Sequence, residues 1–235
     1  MSQSLQEIND NIAVAVQNGQ YLTLKTHRMT EMVEEHLKHA AESILAKSNR
    51  SNLIDVVYTI LKELAINGCK ANQKRIFFEE RGYNIHDAKQ YSIGNEEYKK
   101  IFSEEMALEY GMKAKAKGLY VLVDFLFDGE GLTLEISNNT PIMPQEEASM
   151  REKLKKAMGY NDIAEFYMDQ ATAGGETEGA GLGLALIIIL LKGENVDPKY
   201  FRIMIDKDRT VARLEIPFSD RFVSKRDASA RVVQG

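Results

Sequence analysis

Hydrophobic residues in the first third of the chain recur at two different spacings. Residues 21–25 alternate between apolar and polar side chains, as in a short half-buried strand. Residues 29–47 and 53–71 instead place hydrophobic residues three and four positions apart, which is the spacing of one face of an α-helix. The pattern therefore predicts a strand followed by two amphipathic helices.

The second half of the chain contains two pairs of runs that are rich in β-branched, aromatic and other apolar residues. Residues 119–127 and 132–137 flank four turn residues, and this arrangement is typical of a β-hairpin. Residues 200–206 and 211–216 repeat it around a turn at 207–209. Leading helices followed by antiparallel strands predict an α+β fold, a two-layer α/β sandwich.

The region between the helices and the first hairpin, residues 79–118, is polar and charged. It contains one helix signal, with Asn95 as the N-cap and Gly111 as the stop, and we interpret it as an inserted helical segment. Further along, Pro144 is suited to begin a helix that runs through Met158. Helices are therefore expected on both sides of the first hairpin.

The longest apolar run, residues 182–191, is too short to cross a bilayer, which takes about 20 apolar residues. We expect it to form a buried element. The glycine-rich residues 173–179 before it predict a flexible loop. The tail, residues 218–235, mixes basic and small polar residues, and this composition indicates disorder.

The 35 acidic and 30 basic residues are interspersed and give a formal net charge of −5. No broad basic face is expected, which argues against nucleic acid or an anionic membrane as a partner. Cys69 is the only cysteine, so an internal disulfide and a cysteine-rich zinc site are excluded. The polar N-terminus lacks the basic start and apolar core of a secretion signal, so a cytoplasmic location is expected.

A glycine-rich segment directly precedes the apolar run. In residues 179–184 (GAGLGL), glycines would let backbone N–H groups approach phosphate oxygens, and the N-terminus of a following helix would add a favourable dipole. The structural alternative is a turn that leads into a buried helix or strand. The segment lacks the third glycine of a dinucleotide fingerprint, and the chain contains no P-loop sequence, so both of those folds are excluded.

The helix predicted at residues 53–71 carries Glu63 and Asn67 one turn apart, with Lys70 nearly on the same stripe. An amide oxygen suits Mg²⁺, a hard cation that combines a few protein oxygens with phosphates and waters. A carboxylate one turn away could orient or deprotonate an attacking hydroxyl. The alternative is that these three residues form only the solvated face of an amphipathic helix.

Three blocks, LKELAINGCK, LEISNNTPIMP and TEGAGLGLALIIILLKG, resemble in this order the N, G1 and G2 boxes of the GHKL superfamily of gyrase, heat-shock chaperone, histidine kinase and mismatch-repair ATPases. The match covers residues 21–217, and its layout is similar to histidine kinase catalytic domains and anti-sigma-factor serine kinases. It implies a Bergerat fold: one ATP-binding domain, residues 1–217, whose mixed, mostly antiparallel sheet is covered by helices on one face. The insert at 79–118 and an ATP lid at 143–178 would belong to this domain.

The resemblance also implies roles for individual residues. Asn67 would coordinate Mg²⁺, Lys70 would reach the phosphates, and Glu63 matches the general base of the members that have one. Asn138 stands where the family offers an aspartate to the adenine amino group, and Thr210 would lie near the adenine. The other nucleotide-binding positions are those that replace the G1 glycines and those of the G2 loop: Thr140, Ile142, Gly179, Ala180, Gly181, Leu182, Gly183 and Leu184.

Three functions stay open at this point. The domain could be a protein kinase that transfers the γ-phosphate of Mg·ATP to a histidine or serine, a nucleotide-sensing module without turnover, or a conformational ATPase. His27, His36 and His39 are not in a phosphoacceptor context, and we expect all three on the solvated surface. The expected partners are therefore ATP or ADP and a protein of a signalling pathway, and a homodimer is left open.

Overall fold

The computed structural model describes residues 5–160, 162–172 and 182–227. These residues form, in chain order, α1 (Leu5–Gln17), β1 (Leu22–Thr26), α2 (Glu31–Lys47), α3 (Ile54–Glu80), α4 (Ala88–Ile101), α5 (Glu104–Ala116), β2 (Val121–Phe127), β3 (Gly131–Asn138), α6 (Pro144–Ala157), α7 (Ile163–Thr172), α8 (Leu182–Gly193), β4 (Phe201–Asp206) and β5 (Arg209–Pro217).

The strands form a five-stranded sheet in the described part of the chain, in the order β1-β2-β3-β5-β4. Every pair in it is antiparallel, so the sheet is not mixed there. The register places Val121 opposite Asn138 at one end of the β2–β3 hairpin and Phe127 opposite Leu132 at the other. Both predicted hairpins are confirmed, and the predicted α+β two-layer sandwich is the observed fold.

Helix α3 covers the centre of the sheet. Its apolar face, with Ile60 and Leu61 fully buried, packs into one main hydrophobic core together with β2 and β3. Gly68 permits a close approach, because a Cβ at this position would lie 3.0 Å from Cγ2 of Val121. On the other flank α2 packs against α3, and α1 packs against α2. The position of α3 on the sheet fixes where its polar stripe faces.

The insert differs from its prediction in detail. Helix α3 runs on to Glu80, and two further helices, α4 and α5, follow where one was predicted. The caps are Asp87 and Ser103, each accepting a hydrogen bond from a backbone N–H of its helix. Asn95 and Gly111, predicted as cap and stop, lie inside α4 and α5, so these two assignments were wrong.

The two insert helices pack on the second half of α3 and form a hydrophobic cluster of their own. Phe77 and Phe78 are fully buried there, and the rings of Phe77 and Tyr98 lie 5.6 Å apart. The buried members of this insert core are Ile76, Phe77, Phe78, Tyr98, Met106, Tyr110 and Ala114. The insert is therefore a packed unit on α3.

Three further features depart from the sequence interpretation. Helix α1 was not predicted, and because it covers α2, His36 is buried, with 7% of its surface exposed, instead of solvated. The tail packs as far as the structure describes it, with Phe222 against the ring of Tyr200 and Lys225 bonded to Glu135.

Within the described ranges, no helix has both the length and the apolar character needed to span a membrane.

Candidate functional site

A cavity of about 450 Å³ lies between α3, the central strands and the starts of α6 and α8. Its volume is in the range of small-molecule binding pockets, about 300–1,000 Å³. Residues that the sequence analysis assigned to nucleotide binding converge on its wall: Glu63, Asn67, Lys70, Asn138, Thr140, Ile142, Gly183, Leu184 and Thr210. Motifs more than a hundred residues apart in the chain thus meet in one place.

The rest of the G2 loop cannot be placed in the same way. Gly179, Ala180 and Gly181 lie outside the described residues, and Leu182 is described only as the first residue of α8. The predicted lid contains α6 and α7. Its last part, residues 173–178, also lies outside the described residues. The described wall of the cavity is therefore built by α3, the sheet, α6 and the first turn of α8.

Glu63 and Asn67 form a hydrogen-bonded pair one turn apart on α3. The Asn67 Nδ2 atom donates to Oε1 of Glu63 at 2.9 Å. Because an ionised carboxylate only accepts hydrogen bonds, this contact fixes which end of the amide faces Glu63. Within the described chain, the Asn67 amide oxygen receives no donor. The pairing leaves one hard oxygen for a cation at this end of the cavity.

Gly183, in the first turn of α8, lies directly against Glu63. A Cβ added at Gly183 would overlap the Glu63 carboxylate, so the glycine allows this side chain to lie where it does. The sequence analysis assigned Gly183 to the phosphate loop, whereas its described contact is with the candidate base. The Glu63 carboxylate thus lies at the N-terminus of α8, where a negative charge is favoured by the helix dipole.

The G1 residues form a polar network at the back of the cavity. Asn138 Nδ2 donates to Thr140 Oγ1 at 2.6 Å and to the Thr140 carbonyl at 3.1 Å. Thr140 Oγ1 in turn donates to Asn72 Oδ1 at 2.9 Å, and Thr210 donates to the Thr140 carbonyl, also at 2.9 Å. No described donor reaches the Asn138 amide oxygen, which is therefore an available acceptor on the cavity wall.

Asn72 was not identified from sequence, although it organises this network. Its side chain is fully buried, and its amide nitrogen donates to the Tyr120 carbonyl at 3.1 Å. That bond turns the amide oxygen toward Thr140 and Asn138. The only signal in the sequence is its position five residues after Asn67 on the same helix.

Lys70 lines the cavity but contacts the insert. Its ammonium lies 5.0 Å from the centre of the Phe102 ring, within the range of a cation–π interaction. The Tyr98 hydroxyl also donates to the Lys70 carbonyl at 3.4 Å. The residue predicted to reach the phosphates is therefore also in contact with α4 and the residue that follows it.

A charged cluster that the sequence analysis missed closes the other end of the cavity. Arg75 donates to Glu146 from both terminal nitrogens, at 2.7 and 3.3 Å, and Lys74 forms an ion pair with the same carboxylate. Tyr91 of the insert also donates to Glu146, at 3.0 Å. This cluster of Lys74, Arg75, Tyr91 and Glu146 joins α3, α4 and α6.

Of the cluster, only Lys74 could have been anticipated, because Asn67, Lys70 and Lys74 recur at i, i+3 and i+7 on one helix face. The prediction that α3 ended at residue 71 hid this continuation. Only 13–16% of the Lys74, Arg75 and Glu146 side chains is exposed, so these charges interact with little screening by water.

Burial and pairing have opposite effects on these charges. Burial would raise the pKa of Glu146, but the contacts with Arg75 and Lys74 outweigh it and hold that pKa at about 2. Burial lowers the pKa of Lys74 in spite of the attraction of Glu146, and the nearby charges of Arg75 and Lys99 lower it further. The attraction of Glu146 thus does not fully compensate the buried charge of Lys74.

The Asn67 amide oxygen is a residue atom of this cavity that could hold a metal ion. No group of three or more His, Cys, Asp or Glu residues able to hold a metal occurs in the described ranges. Mg²⁺ does not need one, because it is commonly held by one or two protein oxygens together with substrate phosphates and waters. The Asn67 amide oxygen, which has lone pairs available for a cation, satisfies that requirement.

The comparisons with known proteins add one relative. No family model and no solved structure matches the chain. The chain is similar to an uncharacterized protein of Treponema pallidum (strain Nichols), with 27% identity over 208 residues. The aligned part is 88% of this chain and 40% of that protein, so the chain spans about two fifths of the relative's length.

Proposed function

We propose that this chain is a Mg·ATP-binding signalling domain of the histidine-kinase-like type, which transfers the γ-phosphate to a histidine or serine of a protein partner. One observation carries the proposal: the residues of three separate sequence motifs line one cavity of nucleotide size. We also propose a cytoplasmic location, because ATP and a reduced Cys69 both fit that compartment.

The available oxygens of the cavity fit the two ends of a nucleotide. The Asn138 amide oxygen can accept from an exocyclic amino group, because its nitrogen is already bonded to Thr140. The Asn67 amide oxygen can coordinate magnesium, because its nitrogen is bonded to Glu63. Lys70 and the first turn of α8 would then face the phosphates.

In the transfer reaction Glu63 would accept the proton of the attacking group. The attacking hydroxyl or imidazole must come within about 3 Å of the Glu63 carboxylate. His36, the histidine buried between α1 and α2, bonds to Asn9 at 3.1 Å and does not line the cavity. The acceptor is therefore proposed to come from a partner, and the isolated chain should acquire little stable label.

A nucleotide-sensing module is the second candidate, and three contacts favour it. The Glu63 carboxylate is engaged by Asn67 and lies against Gly183, and Lys70 lies over Phe102 of the insert. In a module without turnover these contacts would report nucleotide occupancy to a partner. Among the described residues, no comparable feature favours a conformational ATPase.

The proposal is tested first by isothermal titration of ATP, ADP and GTP, with and without Mg²⁺. We expect Mg²⁺ to strengthen ATP binding in the wild type and to have no such effect in Asn67→Ala. Glu63→Gln is the matched control, since its amide oxygen can still accept from Asn67 and so preserves the metal ligand. Equal Mg²⁺ dependence in Asn67→Ala and wild type would refute the assignment.

Incubation with γ-labelled ATP then separates the two candidates. Acid-stable label on an added partner that disappears with Glu63→Gln supports a serine kinase, and acid-labile label on the partner supports a histidine kinase. If ATP binds but stays intact whatever partner is added, the nucleotide-sensing module is the better account. Label on His27, His36 or His39 would make the chain its own acceptor.

A further inference from the structure

We propose that Lys74 and Arg75 form a second anion-binding subsite in the cavity, which Glu146 occupies in the structure and which a phosphate group of the bound nucleotide takes in its place. The inference rests on the proposed nucleotide function and extends it to residues that lie outside the three motifs. Three observations support it: the stripe on α3, the charge balance of the cavity and the position of Glu146.

The stripe of polar residues on α3 does not end at Lys70. Asn67, Lys70 and Lys74 follow at i, i+3 and i+7, and all three line the cavity. Lys74 lies seven positions after Asn67, about 10 Å along the helix axis. A polyphosphate that begins at the Asn67 amide would extend along this stripe toward Lys74 and Arg75, which line the same cavity.

Positive charge exceeds negative charge at the end of the cavity that Lys74, Arg75 and Glu146 line. Lys74 and Arg75 share the single carboxylate of Glu146. Lys99 of α4 lies near enough to lower the pKa of both Lys74 and Lys153 of α6, in each case after the larger effect of burial. Neither Lys99 nor Lys153 forms an ion pair within the described residues. Another anion would relieve this imbalance, and a phosphate carries more charge than a carboxylate.

Glu146 lies in the first turn of α6, at the start of the segment that the family resemblance assigns to an ATP lid. Its carboxylate accepts from the backbone N–H of Met143 at 2.9 Å, at the start of α6, and α6 opens the segment proposed as the lid. Arg75 also donates to the Pro141 carbonyl at 3.0 Å. When a phosphate takes the place of Glu146, Arg75 keeps this anchor and Tyr91 keeps its contact with Lys74, while α6 loses its ion pairs with α3.

Two substitutions should act in opposite directions. Lys74→Met removes the excess charge but keeps the one-to-one pair of Arg75 and Glu146, so the fold retains its buried ion pair. We expect it to weaken ATP binding by about ten- to a hundredfold, the usual effect of losing a charged hydrogen bond. Glu146→Gln removes the competing carboxylate and should tighten ATP several-fold. Adenosine, which has no phosphate, should bind all variants equally.

Titration calorimetry with ATP, adenosine and inorganic triphosphate tests this directly. The control is Lys155→Met, the same charge change on the exposed side of α6. The inference is overturned if Lys74→Met leaves both ATP and triphosphate binding unchanged while ATP binding still depends on Asn67, and the proposed function then stands. If triphosphate binds with the two opposite effects but ATP binds no better, the subsite stands and the nucleotide proposal fails.

Displacement of Glu146 has its own readout. We expect ATP, but not adenosine, to increase hydrogen exchange in the first turn of α6 and in α4 around Tyr91, because Glu146 loses its bonds to α3 and to Tyr91. Unchanged exchange in both helices at saturating ATP would show that Glu146 stays in place and would overturn the exchange of anions.

Discussion

The two halves of α3 pack against different partners and by different means. The first half lies on the sheet with aliphatic residues such as Leu61, and a glycine, Gly68, brings the helix close to β2. The second half lies under α4 and α5, and its packing is aromatic, with Phe77 and Phe78 fully buried. One continuous helix thus belongs to two cores.

The comparison bears on the cavity, since the candidate site draws on both halves. Glu63 and Asn67 belong to the half that is fixed on the sheet, while Lys74 and Arg75 belong to the half that carries the insert. Lys70 lies between them and contacts Phe102. A ligand that binds along α3 would therefore contact the sandwich at one end and the insert at the other.

The largest expected effect comes from breaking the aromatic core. Phe77→Ala should reduce the stability of the insert by about 3–5 kcal/mol, the usual cost of removing a buried phenyl ring. If the two cores are separate units, hydrogen exchange should increase in α4 and α5 and stay slow in β2 and β3.

Leu61→Ala is the matched change in the other half and should cost about 2–5 kcal/mol, with faster exchange throughout the sheet. Phe77→Leu, which keeps most of the volume, should show a smaller effect than Phe77→Ala. If Phe77→Ala increases hydrogen exchange equally in the sheet and in the insert, the two cores unfold as one unit.

Sequence predicted the first half of α3 well and the second half poorly, for a physical reason. Beyond residue 71 the helix contains Asn72 and Gln73, which interrupt the apolar spacing. Both are buried, and their amides donate to the carbonyls of Tyr120 and Ala107. Polar residues satisfied by tertiary partners cannot be told from solvated ones by periodicity alone.

A glycine misled the interpretation of the insert in a similar way. Gly111 was predicted to stop a helix, yet it lies inside α5, where a Cβ would contact Arg28 at 2.6 Å. Gly94 allows α4 to approach Phe78, because a Cβ at this position would lie 2.8 Å from the ring. Close approach between elements, which sequence does not reveal, explains both glycines.

The motif residues were predictable because the three blocks that contain them resemble the boxes of one superfamily. Asn67, Asn138 and Gly183 were assigned to one site from sequence, and the structure places all three on the same cavity. The cluster around Glu146 was not predictable, because its members come from three helices whose arrangement depends on the insert. What they bind stays a prediction.

An effect of intermediate size is expected at Glu146, whose contacts join the second half of α3 to α4 and α6. The pKa of Glu146 is held at about 2, below its ordinary value of 4.5, so its charged form stabilises the folded protein above pH 4.5. This stabilisation, roughly 3 kcal/mol, should be lost as the pH falls toward 2, with about 2 kcal/mol gone by pH 3.

Urea unfolding of the wild type and Glu146→Gln between pH 6 and pH 3 measures this contribution. The stability of Glu146→Gln should depend less on pH across that range. Glu147→Gln makes the same charge change one residue later, where the partner Arg151 is exposed, and should keep the wild-type dependence. If the free energy of unfolding depends on pH in the same way for wild type and Glu146→Gln, the charged form of Glu146 does not stabilise the fold.

The smallest effects are expected at the exposed ion pairs of the two halves. Lys117 bonds to Glu79 at 2.7 Å where the insert meets the end of α3, and Lys62 bonds to Glu34 at 2.6 Å where α2 meets α3. All four side chains are partly or largely exposed to water, and such pairs contribute at most about 1 kcal/mol. Lys117→Ala and Lys62→Ala should therefore each lower the free energy of unfolding by less than about 1 kcal/mol. Urea unfolding at low ionic strength and again at high salt, which screens exposed charges, checks this expectation. A loss at Lys117→Ala as large as that at Phe77→Ala would mean that surface charge, and not the aromatic core, holds the insert on α3.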